Sequence, residues 1–338
     1  MAQAIENDLH VDVTSIEKQL AELWRAEKDE KNRAVTKAAL WNVVAHTWTA
    51  EQHAHATETL ARASAAVPQR TIIVQADPDG SASIASWISA NCHLIAGGRQ
   101  VCSEEVSIMA AGDRVDHIPP LVAALLLPDM PVAVWWMGDL PRDHHDYAET
   151  LLEPADRLIY DSAQFEGQDD LELITRIAES TTTAPADLNW ARIEEWRAAT
   201  AALFDPAPMR ERLDKIRDVR VYSGGDDSFG ARSEALLYVG WLIAQTGRDV
   251  KYALESEGMD EGIVAVEIRF ADHSIAVMRG DRERRVVVAN SDGSETALDC
   301  VTRSLARNAE DLIVRLLKRP EADRVYLKSL RVARRLAS

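Results

Sequence analysis

The sequence predicts an α/β N-terminal domain with a mainly parallel sheet, followed by an α+β C-terminal domain with an antiparallel sheet. Predicted strands and helices alternate between residues 38 and 181, and such alternation is typical of βαβ units. The run Val132–Trp136 is apolar throughout, which predicts a strand buried on both faces in the middle of a sheet. Four short strands between residues 250 and 290 follow one another at hairpin intervals, which favours antiparallel pairing.

A predicted helix precedes the α/β domain. Thr14 and Glu17 have the spacing of a capping box, in which each side chain accepts a hydrogen bond from the other residue's backbone amide. We assign residues 1–35 to this helix and a charged linker, residues 36–185 to the α/β domain and residues 186–338 to the α+β domain.

The α/β domain is predicted to alternate strands with helices, apart from an antiparallel excursion around the hinge Gly97-Gly98. The turn signal Asp77-Pro-Asp-Gly80 closes one of its strands. In order, the predicted elements are a strand at 38–48, a helix at 50–66, strands at 71–76, 84–93 and 104–109, a helix at 113–127, a strand at 132–136, a helix at 143–152, a strand at 157–160 and a helix at 169–181.

The α+β domain opens with a tryptophan-rich segment. Trp190, Ile193 and Trp196 have approximately helical spacing, and Asp205-Pro206 ends that helix. Gly247 is predicted as the C′ residue of a deeply buried helix. The remaining predicted elements are a strand at 219–223, the buried helix at 231–246, strands at 250–254, 263–270, 274–279 and 286–290, and helices at 304–318 and 322–336.

Composition limits the class of protein. The 338 residues are 46% hydrophobic and carry a net charge of -17, which argues against nucleic acid as the partner. No apolar run is long enough to span a membrane, and the N-terminal residues do not have the pattern of a secretory signal. We therefore expect a cytoplasmic protein that binds neither nucleic acid nor membranes.

The strongest catalytic alternative is a metal-dependent phosphoesterase. Asp77 and Asp79 follow one predicted strand, and Asp143, His144 and His145 follow another, similar to the motifs that hold two cations in DHH-type enzymes. Gln75 stands where such enzymes place a histidine, and acidic residues also favour helix N-termini for reasons unrelated to metals.

Other enzyme classes lack their motifs. The sequence contains no dinucleotide-binding or P-loop glycine pattern and no serine-hydrolase elbow. The glycine cluster at residues 223–227 carries two carboxylates where a phosphate would bind, so it favours a plain turn. We therefore predict a non-enzymatic protein without a cofactor or metal.

The cysteines leave two interpretations open. Cys92, Cys102 and Cys300 are too few for a disulfide framework, and buried unreactive thiols account for them. Alternatively, Cys92 and Cys102 form a redox-responsive pair, since both lie near the polar loop at residues 97–105. Spacing alone does not show whether their Cα atoms approach within bonding distance.

Four motifs in one order resemble the OpcA family, the glucose-6-phosphate dehydrogenase assembly proteins. These motifs are GGRQVCSEE, LLLPDMPVAVWW, LNWARIEEWRAATAALFDPAP and ALLYVGWLIAQTG, and the resemblance covers about residues 38–318. It implies a cytoplasmic partner that binds glucose-6-phosphate dehydrogenase, promotes its active oligomer and supports the oxidative pentose phosphate pathway. In some family members this activation is redox-sensitive through cysteines.

Candidate interface residues combine charge, hydrogen-bonding capacity and aromatic area. Loop closure within the domain is the alternative role for the polar ones, and burial in the protein's own core is the alternative for tryptophan. The predicted partner-interface residues are Arg99, Gln100, Glu104, Glu105, Trp196 and Arg197.

Overall fold

The chain divides into two compact units. The computed structural model describes residues 3–5, 13–31, 35–94, 100–140, 145–226, 228–279, 286–290, 295–296 and 308–337. Unit 1 consists of Met1–Tyr160, Thr182–Ala186 and Ala309–Pro320, and unit 2 consists of Asp161–Thr181, Asp187–Asn308 and Glu321–Ser338. The predicted domain boundary at residue 185 stays a prediction.

Unit 1 is built on a nine-stranded, mainly parallel sheet, which confirms the predicted fold class. Its order is β1-β5-β6-β4-β3-β7-β8-β9, and β2 pairs with β6 beside that path. Six of the strands pair in parallel. The strands are β1 (Gln3–Ile5), β2 (Val35–Lys37), β3 (Trp41–Thr47), β4 (Gln69–Asp77), β5 (Ser83–Leu94), β6 (Gln100–Ala111), β7 (Val132–Trp136), β8 (Arg157–Tyr160) and β9 (Ala184–Asp187).

Strands β5 and β6 form the predicted antiparallel excursion. Their register pairs Ser83 with Ala111 at one end and Leu94 with Gln100 at the other. On its other side β6 runs parallel to β4, so the excursion extends the sheet by two strands. Strand β7 lies between β3 and β8 with every residue buried, as its apolar sequence predicts.

Helices cover both faces of this sheet. Arg70 of β4 donates hydrogen bonds to Glu17 and to the carbonyl of Leu125, and these contacts place α1 and α3 on one face. On the opposite face Gln69 reaches the carbonyl of Leu60 in α2. The helices of unit 1 are α1 (Val13–Lys31), α2 (Ala50–Ala63), α3 (Ile118–Leu125), α4 (His145–Leu152) and α10 (Ala309–Leu317).

Two helix starts in unit 1 differ from the predictions. Helix α1 begins at Val13, so Thr14 lies inside its first turn rather than ahead of it. Residues 112–117 form a 3-10 helix before α3, because prolines at the start of α3 lack the amide donors that a longer α-helix would need there. Within the described part of the chain, no helix combines the length and hydropathy that crossing a bilayer requires.

Unit 2 contains a five-stranded sheet that is mixed rather than wholly antiparallel. The strands pair in the order β10 (Asp218–Gly224), β11 (Lys251–Arg269), β12 (Ser274–Arg279), β13 (Val286–Asn290) and β14 (Glu295–Thr296). Residues 251–256 run parallel to β10, while residues 261–269 return along β10 in the opposite direction. The other pairs are antiparallel, as predicted.

The central helix of unit 2 is buried on nearly all sides, as its apolar sequence predicts. Gly240 allows a close crossing, because a Cβ there would lie 2.7 Å from the carbonyl oxygen of Ser329. Gly247 adopts the left-handed conformation at the helix end, which confirms the predicted C-terminal cap. The helices of unit 2 are α5 (Gln168–Ser180), α6 (Leu188–Arg192), α7 (Glu194–Leu203), α8 (Ala207–Arg210), α9 (Phe229–Thr246) and α11 (Arg324–Ala337).

Candidate functional site

The carboxyl ends of β3 and β7 form the first candidate site, because the strand order of the parallel sheet reverses between these two strands. Strand β4 lies on one side of β3 and β7 on the other. Open α/β sheets commonly bind ligands in the crevice at such a position.

Aromatic side chains of unit 1 itself fill this crevice. The indole nitrogens of Trp48 and Trp136 both donate hydrogen bonds to the carbonyl oxygen of Asp139, at 3.1 and 2.9 Å. The His46 ring stacks on Trp136 with a centroid distance of 3.9 Å and meets Trp48 edge-on at 4.5 Å. These contacts tie the end of β3 to the segment after β7 and leave the crevice packed.

His46 is held in its neutral form within this cluster. Burial lowers the pKa of its imidazole to about 3, because a charged ring would lose its hydration. Neither ring nitrogen of His46 has a hydrogen-bond partner among the described residues, and the Tyr147 hydroxyl has none either. The centroids of the His46 and Tyr147 rings are 5.6 Å apart. The cluster is therefore aromatic packing rather than an acid–base pair.

The N-terminus of α2 is closed by its own side chains. Thr49 accepts a hydrogen bond from the amide of Gln52, while Gln52 Oε1 accepts from the amides of Trp48 and Thr49. Gly138, at φ +76°, packs against this cap, and a Cβ there would lie 2.6 Å from Gln52 Nε2. A phosphate group would compete with these contacts for the same amides.

A second candidate site is a cavity of about 290 Å³ between α2 and the β5–β6 pair. Glu105 lies in its wall with a side chain only 6% exposed. Burial raises the pKa of Glu105, although Asn91 and Ser89 donate hydrogen bonds to its carboxylate. The lining includes His53, Thr57, Trp87, Ser89, Glu105 and Met109.

Glu104 occupies a different environment from its neighbour Glu105. Its side chain is 2% exposed, forms hydrogen bonds with Arg70 at 2.6 and 2.9 Å, and pairs with Lys37. Arg70 is itself 3% exposed and also binds Glu17 at 2.7 Å. In unit 1 this predicted interface carboxylate therefore belongs to a buried ion cluster.

Cys92 and Cys102 are joined by a disulfide bond. They are directly opposed in the register of β5 and β6, with Cα atoms 4.0 Å apart. Cys102 is fully buried. The bond therefore crosslinks the two strands near the end where Leu94 pairs with Gln100, while Cys300 lies outside the described residues.

Four further residues were predicted at the partner interface: Arg99, Gln100, Trp196 and Arg197. Arg99 lies outside the described residues, and Gln100 is the first residue of β6. Trp196 is 1% exposed in α7, and Arg197 is half-buried with its guanidinium 3.4 Å from the centroid of the Trp190 ring. Trp196 and Arg197 share α7, whereas Gln100 lies on β6 with Glu104 and Glu105.

Of the five residues of the predicted metal site, three are among the described residues: Asp77, Asp79 and His145. Asp77 ends β4 and Asp79 lies on the turn that follows; both are exposed, and the amide of Gly80 donates to the carbonyl of Asp77. Asp143 and His144 lie outside the described residues, and His145 is the first residue of α4. Across the described ranges, no group of three or more His, Cys, Asp or Glu side chains is placed to hold a metal ion.

Unit 2 contains a buried polar network that sequence reasoning missed. Asp187 Oδ1 accepts hydrogen bonds from the amides of Ser162 and Asn189, at 3.1 and 2.9 Å. The Asn189 side chain donates to the hydroxyls of Ser162 and Ser233. Burial, followed by repulsion from Asp161, raises the pKa of Asp187 to about 7. The position of Asp187 just before α6 was the available sequence signal.

Comparison with known proteins connects both parts of the chain to one family. Residues 60–178 match a family model described as the glucose-6-phosphate dehydrogenase subunit N-terminal domain, and residues 183–330 match the corresponding C-terminal domain. Two relatives named OxPP cycle protein OpcA are each 28% identical. The match with the Synechocystis sp. protein covers 54% of this chain, and that with the Synechococcus elongatus protein covers 61%.

The chain spans less than half the length of these relatives, 38% and 45% respectively. Among solved structures, a 3-ketoreductase from Actinomadura kijaniata with NADP is 12% identical over 88% of this chain and 95% of its own. Its TM-score of 0.47 is too low to support an argument about function. The two family matches together cover more than half of the sequence, and the chain belongs to the OpcA family of glucose-6-phosphate dehydrogenase assembly proteins.

Proposed function

We propose that this protein binds glucose-6-phosphate dehydrogenase and promotes its active oligomer without performing catalysis itself. The observation that carries the proposal is the packed crevice at the ends of β3 and β7, joined to the family membership. Where an α/β enzyme would hold its ligand, Trp48 and Trp136 converge on one carbonyl oxygen. The capped N-terminus of α2 supports the same conclusion, since the amides of Thr49 and Gln52 already have side-chain acceptors.

Activation then follows from differential binding. A partner that contributes no catalytic group raises activity only by binding the active conformation or assembly more tightly than the other states. A coupling free energy of about 1–3 kcal/mol would change substrate affinity by about 5- to 150-fold. The acceleration should therefore saturate once the dehydrogenase is fully bound.

The test mixes the purified protein with the dehydrogenase from the same organism. We expect a complex by size-exclusion chromatography with light scattering, and faster NADP reduction at subsaturating substrate. The protein alone should reduce no NADP. An unchanged rate of NADP reduction together with no detectable complex, at every ratio of this protein to the dehydrogenase, would contradict the proposal.

The two arginines among the predicted interface residues remain part of this proposal. Arg99→Ala and Arg197→Lys should weaken the complex if these cations contact the dehydrogenase. Arg62→Ala is the matched control, because Arg62 is an exposed cation on α2 whose partner is Glu58, one turn earlier. Equal affinity for the two interface variants and the control would remove these residues from the interface.

We further propose that the Cys92–Cys102 disulfide makes complex formation depend on redox state. The bond crosslinks β5 and β6 near the end where Leu94 pairs with Gln100, so reduction releases that end of the strand pair. The affinity for the dehydrogenase should differ between oxidised and reduced protein, and the difference should vanish in Cys92→Ala/Cys102→Ala. The same redox effect in that variant would contradict the assignment.

A further inference from the structure

The cavity over β5 and β6 in unit 1 has the size and chemistry of a small-molecule site. The volume of about 290 Å³ lies close to the lower end of the range of about 300–1,000 Å³ that small-molecule pockets cover, so the cavity suits a small ligand. The cavity walls come from a helix and a regular strand pair, which hold their side chains in fixed register.

Glu105 gives the cavity its charge. Each of its carboxylate oxygens accepts one hydrogen bond, from Ser89 Oγ and from Asn91 Nδ2, both at 3.0 Å. Both donors are neutral, and each carboxylate oxygen has a second lone pair for a further donor. The described lining includes no lysine or arginine.

Two further polar side chains of the wall carry no charge. His53 Nδ1 is buried and has no hydrogen-bond partner among the described residues. Burial lowers the pKa of His53, which favours the neutral imidazole. The Thr57 hydroxyl already donates its proton to the carbonyl of His53, so its oxygen is left as an acceptor.

An aromatic wall completes the site. Trp87 is half-buried and pairs with Ser107 across β5 and β6. The next pair on the same face of the sheet, two residues along each strand, is Ser89 with Glu105. Met109 lines the same cavity. An indole ring and a carboxylate in the wall of one cavity favour a cationic ligand, because the ring quadrupole and the carboxylate both attract positive charge.

We propose that this cavity is a binding site for a small organic cation, an amine or guanidine whose charged nitrogen contacts Glu105 and whose carbon chain lies against Trp87 and Met109. A phosphorylated ligand would meet the Glu105 carboxylate without a compensating cation. A neutral polyol would satisfy the acceptors and leave the charge of Glu105 uncompensated.

The test uses the full chain labelled with 5-fluorotryptophan and follows the Trp87 resonance, assigned with Trp87→Phe. Putrescine and agmatine are the probes, and 1,4-butanediol is the neutral counterpart of putrescine. We expect the two cations to shift the Trp87 resonance saturably, while butanediol leaves it unchanged.

Glu105→Gln should weaken putrescine binding at least about tenfold, since it removes the charge with little change in shape. Glu58→Gln is the matched control, because Glu58 is an exposed carboxylate on α2 outside the lining. If Glu105→Gln fails to fold by circular dichroism, Trp87→Leu supplies the second test; because this variant lacks the reporting indole, putrescine binding is then measured by calorimetric titration and should also be weaker than in the parent.

Absence of a shift with either cation up to about 10 mM would overturn the proposal. Equal affinity in Glu105→Gln and the parent would also overturn it. So would loss of dehydrogenase binding in Glu105→Gln without amine binding, which would assign the cavity to a basic side chain of the partner. The amine titration contains no dehydrogenase, so its outcome is independent of the proposed function.

Discussion

Unit 1 and unit 2 each hold an ionisable group in its neutral form, but the two groups are of opposite kinds. In unit 1, burial lowers the pKa of His46 to about 3, and in unit 2 it raises the pKa of Asp187 to about 7. Burial disfavours the charged form in both cases. The same physical cause therefore gives these two groups opposite effects on stability as pH changes.

The two units also differ in how deeply they bury an arginine ion pair. Arg70 of unit 1 is 3% exposed, whereas Arg192 of unit 2 is 14% exposed and pairs with Asp161 through two hydrogen bonds of 2.6 Å. Solvent screens a partly exposed pair, so loss of the cation should cost less there.

The largest expected effect comes from removing the buried cation of unit 1. Arg70→Met leaves Glu104 without its arginine, and we expect it to lower the free energy of unfolding of unit 1 by about 3–5 kcal/mol. Arg192→Met should cost unit 2 about 1–3 kcal/mol. Hydrogen exchange with mass spectrometry in increasing urea would resolve the two units.

Adding Glu104→Gln to Arg70→Met should restore part of the loss, because it removes the uncompensated charge. A larger cost for Arg192→Met than for Arg70→Met would contradict the comparison of the two ion pairs.

The next largest expected effect is that His46 and Asp187 change the stability of their units in opposite directions as pH changes. Below pH 6.5 the unfolded chain protonates His46 while the folded chain does not, so the stability of unit 1 falls as pH falls toward 3. Above pH 3.8 the unfolded chain ionises Asp187 while the folded chain stays protonated up to about pH 7, so the stability of unit 2 falls as pH rises across that window.

Each pKa unit between the folded and unfolded states corresponds to about 1.4 kcal/mol, so the slopes should be resolvable between about pH 4.5 and 6.5. Hydrogen exchange corrected for intrinsic rates would measure them. His46→Phe should flatten the slope of unit 1, and Asp187→Asn should flatten that of unit 2. Slopes unchanged by these variants would assign the pH dependence to other groups.

The disulfide gives a third difference between the units. Closing a loop with a sequence separation of 10 should stabilise unit 1 by about 2–3 kcal/mol through chain entropy. Reduction, or Cys92→Ala/Cys102→Ala, should therefore speed exchange in β5 and β6 and leave β10 and β11 unchanged. Identical exchange in oxidised and reduced protein would contradict this.

The smallest effect concerns the arginine stacked on tryptophan in unit 2. Arg197→Lys replaces a planar guanidinium 3.4 Å from the Trp190 centroid, and we expect a stability loss of about 0.5–1 kcal/mol. Urea unfolding monitored through α6 and α11 would detect it, since Trp190 of α6 also donates a hydrogen bond to Asp323, just before α11. No loss would show that the stacked geometry contributes nothing.

Periodicity and turn residues were sufficient to predict most strands and helices. The apolar run of β7 and the glycine at the end of α9 follow from local sequence alone. The mixed sheet of unit 2 did not, because residues 251–256 pair with β10 in a direction that hairpin spacing does not reveal.

The candidate sites depend on the pairing register of neighbouring strands, which the amino-acid sequence of a single strand does not specify. Glu104 and Glu105 are adjacent, and both were predicted at one surface. The two-residue period of β6 separates them, so one joins the ion cluster of Arg70 and the other faces the cavity. Likewise, the alternation of β5 puts Trp87 and Ser89 on one face, but only the pairing with β6 brings Ser89 to Glu105.

The most direct test of the central claim titrates a fixed amount of glucose-6-phosphate dehydrogenase with this protein while following complex mass and NADP reduction in the same samples. If this protein activates the dehydrogenase by binding it, both quantities rise over the same range of added protein and saturate together, with no NADP reduction by this protein alone. A complex-independent rate increase, or saturating complex formation with no change in rate, would contradict it.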